Sequence, residues 1–344
     1  APDGTLSRPG VSFELGESEF DSKVSFTPDG RLGVTVIIDQ ASNEGRVAVF
    51  RIDDGGAVTV TEPAFAIPDF DPRHVTVDPT GSFVWALDSN RFGAVTVLAL
   101  SCEGRLALHG PALPATLPRS VAFVPGTADR ALLASRAGPA FGGVPLSPAS
   151  FTLFDAAGGN AQPLAFLEAF GAGDPDGSFT GFALTADGRY GLAVEDNLFP
   201  STPDHNNRVA VASVGPASLA RAQTLVYEPP PGGKRLEAAF DLITSPFNNA
   251  ALISAGLGST DAIWQLSYDP ADTAAPFAFV GEIDYSSGPQ LPGSMVVIRR
   301  GPLAGSAFVV EVPGIRQLRF SPDGDVIDLG VYPLDSIGAL GVQP

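Results

Sequence analysis

Alternating apolar and polar positions, followed by a longer apolar run, define a short unit near the start of the chain. Val24 and Phe26 alternate with polar residues, which is typical of a half-buried strand. Pro28 then presets a turn, and Asp29-Gly30 supplies a side-chain cap and a residue that tolerates positive φ. The next residues, 32–38, are almost wholly apolar and predict a strand that is covered on both faces. The pattern therefore predicts a β-hairpin.

Versions of this unit recur along the whole chain. Each copy has an apolar strand pattern, then a turn rich in residues such as Pro, Gly, Asp or Asn, then a second apolar strand. The copies begin near residues 24, 75, 121, 182, 240 and 295. The spacing between them is roughly 46 to 61 residues, close to or slightly above the ~40–50 residues of a propeller blade. Such a period predicts a ring of like sheets.

A second hairpin follows each copy, and the first two copies show it most clearly. Residues 46–52 and 58–61 flank Asp53-Asp54-Gly55-Gly56, and residues 94–100 and 106–108 flank the next turn. Two hairpins per repeat make a four-stranded blade. The sequence therefore predicts an all-β fold, a β-propeller of six four-stranded blades, with seven blades as the alternative.

Both ends of the chain bear on the number of blades. Residues 318–324 resemble the start of a blade, but they lie too close to Met295 to begin a new one, so we assign them to blade six. Residues 11–15 predict an outer strand that could pair with the last blade and close the ring, which would remove free sheet edges. No linker interrupts the repeats, so we expect residues 1–344 to form a single domain.

The composition suits many short strands and little helix. The 344 residues are 44% apolar, enough for a large core, and the 39 Gly and 32 Pro suit frequent turns. Helical periodicity is weak, and the one short helical turn that we predict spans residues 216–223.

The formal net charge of −18 restricts the classes of partner. Nucleic acid and anionic membrane surfaces are disfavoured, because phosphate groups bind clustered Lys and Arg. No apolar run approaches the ~18 residues of a membrane span, and a single cysteine, Cys102, cannot form an intramolecular disulfide. The chain begins Ala1-Pro2-Asp3 without Met, which indicates either a trimmed chain or a mature secreted one, periplasmic or extracellular.

Loops at one face of the predicted ring carry the candidate chemistry. The connections from second to third strands and those from blade to blade share this face, and their lengths vary, as those of functional loops do. Carboxylates and amides that converge there could bind Ca²⁺, which takes about six to eight oxygen ligands. The candidate metal ligands are Asp39, Asp88, Asn90, Glu195, Asp196 and Asn197. The alternative is that these side chains cap loops and face water.

Two Pro-Arg pairs occupy matching places before the second and third repeats. Arg73 follows Pro72 and precedes His74, while Arg119 follows Pro118. We expect both arginines near the axis, where they could neutralise acids or hold a substrate carboxylate through two parallel hydrogen bonds. His74 could act there as a general base, or it could fill the channel entrance as a hydrogen-bonded side chain.

Residues 71–88, which run from Asp71-Pro72-Arg73-His74 to Trp85-Ala86-Leu87-Asp88, resemble the blade signature of the lactonase-like and YncE-like propellers. Residues 26–30 and 320–324 resemble parts of the same repeat. The resemblance extends over most of the chain at the level of single blades, and many propellers share the motif. A second resemblance, to six-bladed calcium-dependent lactonases, concerns architecture and acidity only.

The family resemblance also implies site residues. In lactonases and related cycloisomerases of that family, a channel-facing His, an Arg and an acid at the end of a second strand act on a carboxylated substrate. The matching residues here are His74, Arg73 and Asp88, with Glu195 as the equivalent acid in blade four. The chain departs from the family in two ways: six blades replace the usual seven, and Asp88 stands where Glu is usual.

The sequence leaves two functions open. The favoured one is a secreted or periplasmic propeller that binds a small molecule, glycan or protein at the acidic loop face around the central channel. The alternative is a lactonase- or hydrolase-type enzyme at the same face, in which Ca²⁺ could polarise a carbonyl and activate water. A nucleophile elbow, a phosphate-binding glycine loop and a dinucleotide fingerprint are all missing from the sequence, which argues against serine hydrolases, NTPases and nicotinamide enzymes.

Overall fold

The computed structural model describes residues 24–39, 42, 44–61, 64–89, 93–137, 148–171, 179–195, 208–229, 234, 236, 239–256, 262–285, 294–311 and 314–333. These residues form six antiparallel sheets arranged as the blades of a ring. Each blade has four strands, and blade two carries one extra short strand. The predicted all-β, six-bladed propeller is therefore confirmed.

Strands follow one another in chain order, from an inner strand at the axis to an outer fourth strand. Blade one contains β1 (Ser25–Phe26), β2 (Leu32–Asp39), β3 (Glu44–Ile52) and β4 (Val58–Val60). Blade two contains β5 (Pro72–Val77), β6 (Phe83–Asp88), β7 (Ala94–Leu100), β8 (Leu106–Leu108) and β9 (Leu113–Pro114), which also pairs with β7. Blade three contains β10 (Pro118–Phe123), β11 (Arg130–Ser135), β12 (Ser150–Asp155) and β13 (Gln162–Glu168).

The remaining blades repeat this order. Blade four contains β14 (Phe179–Leu184), β15 (Tyr190–Glu195), β16 (Arg208–Val214) and β17 (Leu219–Val226). Blade five contains β18 (Ala239–Thr244), β19 (Ala250–Ala255), β20 (Ala262–Tyr268) and β21 (Phe277–Asp284). Blade six contains β22 (Met295–Val297), β23 (Ser306–Glu311), β24 (Gly314–Phe320) and β25 (Val326–Pro333). A short 3₁₀ helix, Ala157–Gly159, connects β12 to β13.

Hydrogen bonds within the first turn show why the repeated unit folds as a hairpin. Thr27 Oγ1 donates to Asp29 Oδ1 over 2.6 Å, and Asp29 Oδ1 also accepts a hydrogen bond from the backbone N–H of Arg31. These hydrogen bonds, the one from Thr27 above all, hold the pKa of the Asp29 carboxyl below its ordinary value. Gly30 has a φ of 69°, a conformation that glycine adopts without steric cost.

The hydrophobic core lies between the blades. Among the described residues, five clusters of buried side chains each join two consecutive blades, from blades one and two to blades five and six. Trp85 of blade two is fully buried, and its ring lies edge-on to Phe123 and Phe154 of blade three, with centroids 5.7 and 5.6 Å away. Burial of both sheet faces explains why the second strands are continuous apolar runs.

Side-chain hydroxyls connect the inner strands of neighbouring blades. Thr76 Oγ1 of β5 donates to the carbonyl oxygen of Val121 in β10 over 3.2 Å. Thr244 Oγ1 of β18 donates to the carbonyl oxygen of Leu184 in β14 over 2.6 Å. These bonds satisfy backbone groups that face the axis, so they hold the wall of the channel together.

Structure corrects one sequence-based expectation and supports another. The predicted helical turn at residues 216–223 is wrong, because Leu219–Val226 pairs with β16 as the outer strand of blade four. Residues 318–320 belong to the third strand of blade six, as assigned from the sequence.

The predicted strand at residues 11–15 lies outside the described residues, and the single-domain organisation stays a prediction. No helix in the described ranges combines the length and apolar character of a membrane span.

Candidate functional site

One end of the channel collects acidic residues. The last residue of the second strand is acidic in four blades, and these residues are Asp39, Asp88, Glu195 and Glu311. We name this end, where second strands finish and inner strands begin, the upper rim. The opposite end, where turns join inner strands to second strands, is the lower rim.

A β-bulge interrupts the start of the inner strand in blades two to five. The register shifts by one residue between Pro72 and His74, and at the matching place in the other three blades. The extra residues are Arg73, Arg119, Thr180 and Phe240. Because a bulge re-aims a side chain without ending the strand, four matched positions project at the upper rim. Arg73 and Arg119 therefore occupy equivalent places in adjacent blades.

Asp71 joins three structural elements at the upper rim. Its Oδ1 accepts the backbone N–H of Gly45 in blade one over 2.7 Å, and its Oδ2 accepts Arg73 Nη2 over 2.8 Å. Its own N–H donates to Asp88 Oδ2 over 3.2 Å. Asp88 is 1% exposed, so it acts in this arrangement as a buried acceptor for the Asp71 backbone. The network holds Arg73 in one orientation at the channel entrance.

Two further upper-rim acids pair with arginines of their own blades. Glu195 is fully buried and accepts two hydrogen bonds from Arg208, with Arg208 Nε 2.7 Å from its Oε2. Glu311 accepts Arg316 Nε over 2.8 Å in the same way. A buried carboxylate needs such a partner, because an isolated charge in the interior loses several kcal/mol of hydration. The Arg208 pair neutralises Glu195, which the sequence predicts as a metal ligand, and the Arg316 pair neutralises Glu311 in the same way.

His74 and Arg119 are the remaining candidate groups at the rim. His74 Nε2 lies 3.1 Å from Thr76 Oγ1, and both side chains are half-buried. Arg119 is also half-buried, and within the described chain no hydrogen bond or ion pair joins it to another residue. The contrast with Arg73, which is bound by Asp71, makes Arg119 the cation with donors available for a ligand.

The structure brings the predicted metal ligands to the same rim only in part. Asp88 and Glu195 end second strands in blades two and four, with blade three between them. Asp39 ends the second strand of blade one, but its side chain is outside the described part, as are residues 90, 196 and 197. Within the described residues, no three His, Cys, Asp or Glu side chains form a group that could hold a metal ion. The Arg208 guanidinium competes for Glu195, so Ca²⁺ binding stays a prediction.

Several charged residues at this rim were missed by sequence reasoning. Arg208 opens the third strand of blade four, 13 residues after Glu195, and the long connection between them hides the pairing. The link that Asp71 makes between Gly45 and Arg73 was not predicted from the sequence. In the sequence, a strand-ending acid followed by a strand-opening arginine could have indicated the Glu195 pair.

Comparisons with known proteins bear on the fold. No family model matches the chain, and no curated protein matches it significantly. Among solved structures, it is similar to a periplasmic gluconolactonase of Pseudomonas aeruginosa, with 16% identity, a TM-score of 0.65, and coverage of 93% of this chain and 85% of that one. A Bacteroides fragilis protein put forward as a 6-phosphogluconolactonase has 13% identity and a TM-score of 0.64, with the same coverages.

The chain shares the fold of these lactonase-like β-propellers. The resemblance proposed from residues 71–88 is confirmed at that level. The β-propeller domain of Myceliophteria thermophila Cps50 (Swd1) is similar as well, with 10% identity, a TM-score of 0.61, and coverage of 94% of this chain and 90% of that one. Identities this low establish architecture, and propellers of different activity share it.

Proposed function

We propose that this protein binds a small carboxylate-bearing molecule at the upper rim of its channel. The observation that carries the proposal is Arg119, a half-buried guanidinium at a bulge position without a partner among the described residues. A guanidinium presents a planar fork of donors that matches a carboxylate, and its charge strengthens each hydrogen bond. A bound carboxylate would neutralise this charge, as Asp71 neutralises Arg73 in the neighbouring blade.

The surroundings of Arg119 support a small ligand with further polar groups. Arg73 and His74 begin the inner strand of blade two, immediately beside the inner strand of blade three. Arg73 is fixed by Asp71, so it contributes a neutralised ion pair at a set position and leaves the positive charge to Arg119. The His74 ring and the Thr76 hydroxyl provide donors and acceptors deeper in the channel. This arrangement suits a hydroxylated acid better than a flat protein surface.

Lactone hydrolysis is the second candidate function, and the similarity to a protein named a periplasmic gluconolactonase favours it. In this proposal His74 takes a proton from a water molecule that attacks the lactone carbonyl. The ring C–O bond breaks, the ring oxygen gains a proton, and the product is an open hydroxy acid. Arg119 holds the carboxylate or carbonyl oxygen, while Asp88 and Asp71 keep Arg73 in position. Glu195, the equivalent acid in blade four, is bound by Arg208 and would act by holding that guanidinium at the rim.

The cellular location belongs to the same proposal. We propose that the protein is periplasmic or extracellular, because a propeller of similar structure is named as periplasmic. A glycan or protein ligand at the same rim stays an alternative to the small carboxylate.

Isothermal titration with gluconate tests the binding proposal. We expect the Arg119→Gln variant to bind at least about tenfold more weakly, since a hydrogen bond to a charged group contributes about 1.5–3 kcal/mol. Arg31→Gln is the matched control, because it removes the same charge from an exposed position on the lower rim. Wild-type affinity in Arg119→Gln, or no heat from a panel of sugar acids, would refute carboxylate binding.

Hydrolysis is measured separately, as acid released from gluconolactone above the spontaneous rate. An enzyme should lose most of this rate in His74→Gln while Arg31→Gln keeps it. Binding of gluconate without any rate above background would identify the protein as a binding module.

A further inference from the structure

Arg299 lies at the lower rim, far along the channel from the groups described above. It follows β22, the inner strand of blade six, by two residues. Its Nη2 donates to Thr244 Oγ1 over 3.1 Å, and Thr244 ends the inner strand of blade five. The Thr244 hydroxyl in turn donates to the carbonyl oxygen of Leu184, which ends the inner strand of blade four. The guanidinium is therefore held where inner strands of neighbouring blades meet the axis.

The surroundings of Arg299 affect the hydration of its charge. Arg299 is exposed, yet desolvation by the surrounding protein lowers the pKa of its side chain to about 10. The guanidinium therefore lies against surrounding protein at the lower rim, where its charge is less well hydrated than on an open surface. Charge in such a place interacts strongly with an ion of opposite sign, because the local dielectric is below that of bulk water.

The described residues provide no counter-ion for Arg299. Its bond to Thr244 is the one hydrogen bond that its side chain makes with them, and it forms no ion pair there. A guanidinium has five N–H donors, so most of its donors are available. Arg73, Arg208 and Arg316 differ, because each pairs with a carboxylate of its own blade.

We propose that Arg299 and Thr244 form a binding site for a small oxyanion, a carboxylate or a phosphate group, at the lower rim of the channel. The site is separate from the ligand site proposed at the upper rim. Arg299 supplies the charge and a fork of donors, and Thr244 fixes the orientation of the fork. The oxyanion supplies the negative charge that the described residues lack. The net charge of −18 repels anions at long range, so binding of the oxyanion depends on its short-range contact with Arg299.

Melting temperatures in the presence of three anions test the site. The full chain is heated with sodium phosphate, sulfate or acetate, with ionic strength held constant by NaCl. A ligand that binds the folded state alone raises the melting temperature, and we expect a rise on the order of 2 °C at ten times its Kd. A larger rise with phosphate or sulfate than with acetate indicates a phosphate-type ligand, and the reverse indicates a carboxylate.

Two neighbouring arginines give matched variants. Arg299→Gln should abolish the rise, while Arg300→Gln, an adjacent exposed arginine, should retain it with the same change in net charge. Arg299→Lys keeps the charge without the fork and should show a smaller rise, which preserves the test if the Gln variant folds poorly. All these variants are compared in an Arg119→Gln background, which removes any contribution of the upper rim. In that background, a rise that persists in Arg299→Gln, or no rise when Arg299 is intact, would overturn the proposal.

Discussion

Single ion pairs decide which charged groups remain available to a ligand. Asp71, Glu195 and Glu311 are buried, and each is held by an arginine of its own blade. Replacement of one partner in such a pair typically destabilises a protein by about 3–5 kcal/mol, because the other charge stays buried. These acids are therefore constrained by stability as well as by any role at the rim. The arginines without such partners are the residues at which ligand binding can change independently of folding.

One residue-scale prediction concerns Cys102, which lies in the exposed turn between β7 and β8. Its Sγ donates to Glu103 Oε1 over 3.0 Å, and this hydrogen bond together with the carboxylate charge raises the pKa of the thiol. Because the thiolate is the reactive form, alkylation of Cys102 by iodoacetamide near neutral pH should be slower than that of an ordinary exposed thiol. Glu103→Gln should increase the rate and move the midpoint of the pH–rate profile to lower pH.

The control for Cys102 is Asp323→Asn, which removes one exposed carboxylate from a turn in blade six. Its alkylation rate should match the wild type. Equal rates in all three proteins would show that Glu103 has no influence on the thiol.

Blades four and five approach each other more closely than a side chain would allow. A Cβ placed on Gly181 of β14 would lie 2.6 Å from the backbone carbon of Asp241 in β18. Asp241 also connects blade five to blade six, since its Oδ2 accepts the backbone N–H of Met295 over 2.6 Å. Inner strands at these blades are thus fixed by backbone contact, and the bulges beside them have fixed positions.

The packing at Gly181 gives an element-scale prediction. Gly181→Ala should lower the free energy of unfolding by about 1–3 kcal/mol, because the added methyl group forces the two inner strands apart. Denaturation by guanidinium chloride measures the change. Gly281→Ala is the control, since a Cβ at Gly281 on the outer strand of blade five meets no atom within 4 Å. If both variants are as stable as the wild type, the close approach of β14 and β18 is wrong.

The elements that follow from local sequence were predictable, and those that depend on contacts between blades were not. Asp29-Gly30 and Asp187-Gly188 form turns through hydrogen bonds within a few residues, so the hairpins follow from the pattern. The bulge at Arg73 depends on how the inner strand packs in the ring, and it was not predicted from the sequence. At the site, the matching of Arg73 and Arg119 was visible as two Pro-Arg pairs. The partner of Arg208 was hidden, because a long loop separates the paired strands.

At the scale of the whole molecule, the charge of −18 is distributed around a ring whose upper rim carries strand-ending acids in four blades. Three of these blades, two, four and six, place an arginine among the acids. The rim is therefore a mixture of paired charges and single cations in the part that the structure describes.

Calcium binding at the upper rim would change the stability of the whole molecule. If Asp88, Glu195 and the neighbouring loops hold Ca²⁺, millimolar CaCl₂ should raise the melting temperature relative to a chelator, because the ion binds the folded state. MgCl₂ at the same concentration is the control for general screening of the net charge. Equal melting temperatures with Ca²⁺, Mg²⁺ and chelator would exclude the metal-assisted form of lactone hydrolysis.

The matched bulges at Arg73, Arg119, Thr180 and Phe240 have an evolutionary consequence. The backbone at these places is set by strand pairing, while the residue type differs from blade to blade. A mutation at Arg119 or Phe240 exchanges a cation or an aromatic ring at the channel mouth and leaves the ladder of the sheet untouched, whereas Arg73 also pairs with the buried Asp71 and Thr180 donates to Ala239 of the next blade. Descendants of one propeller could therefore acquire new ligands through single codon changes at such sites, without first passing through a misfolded ancestor.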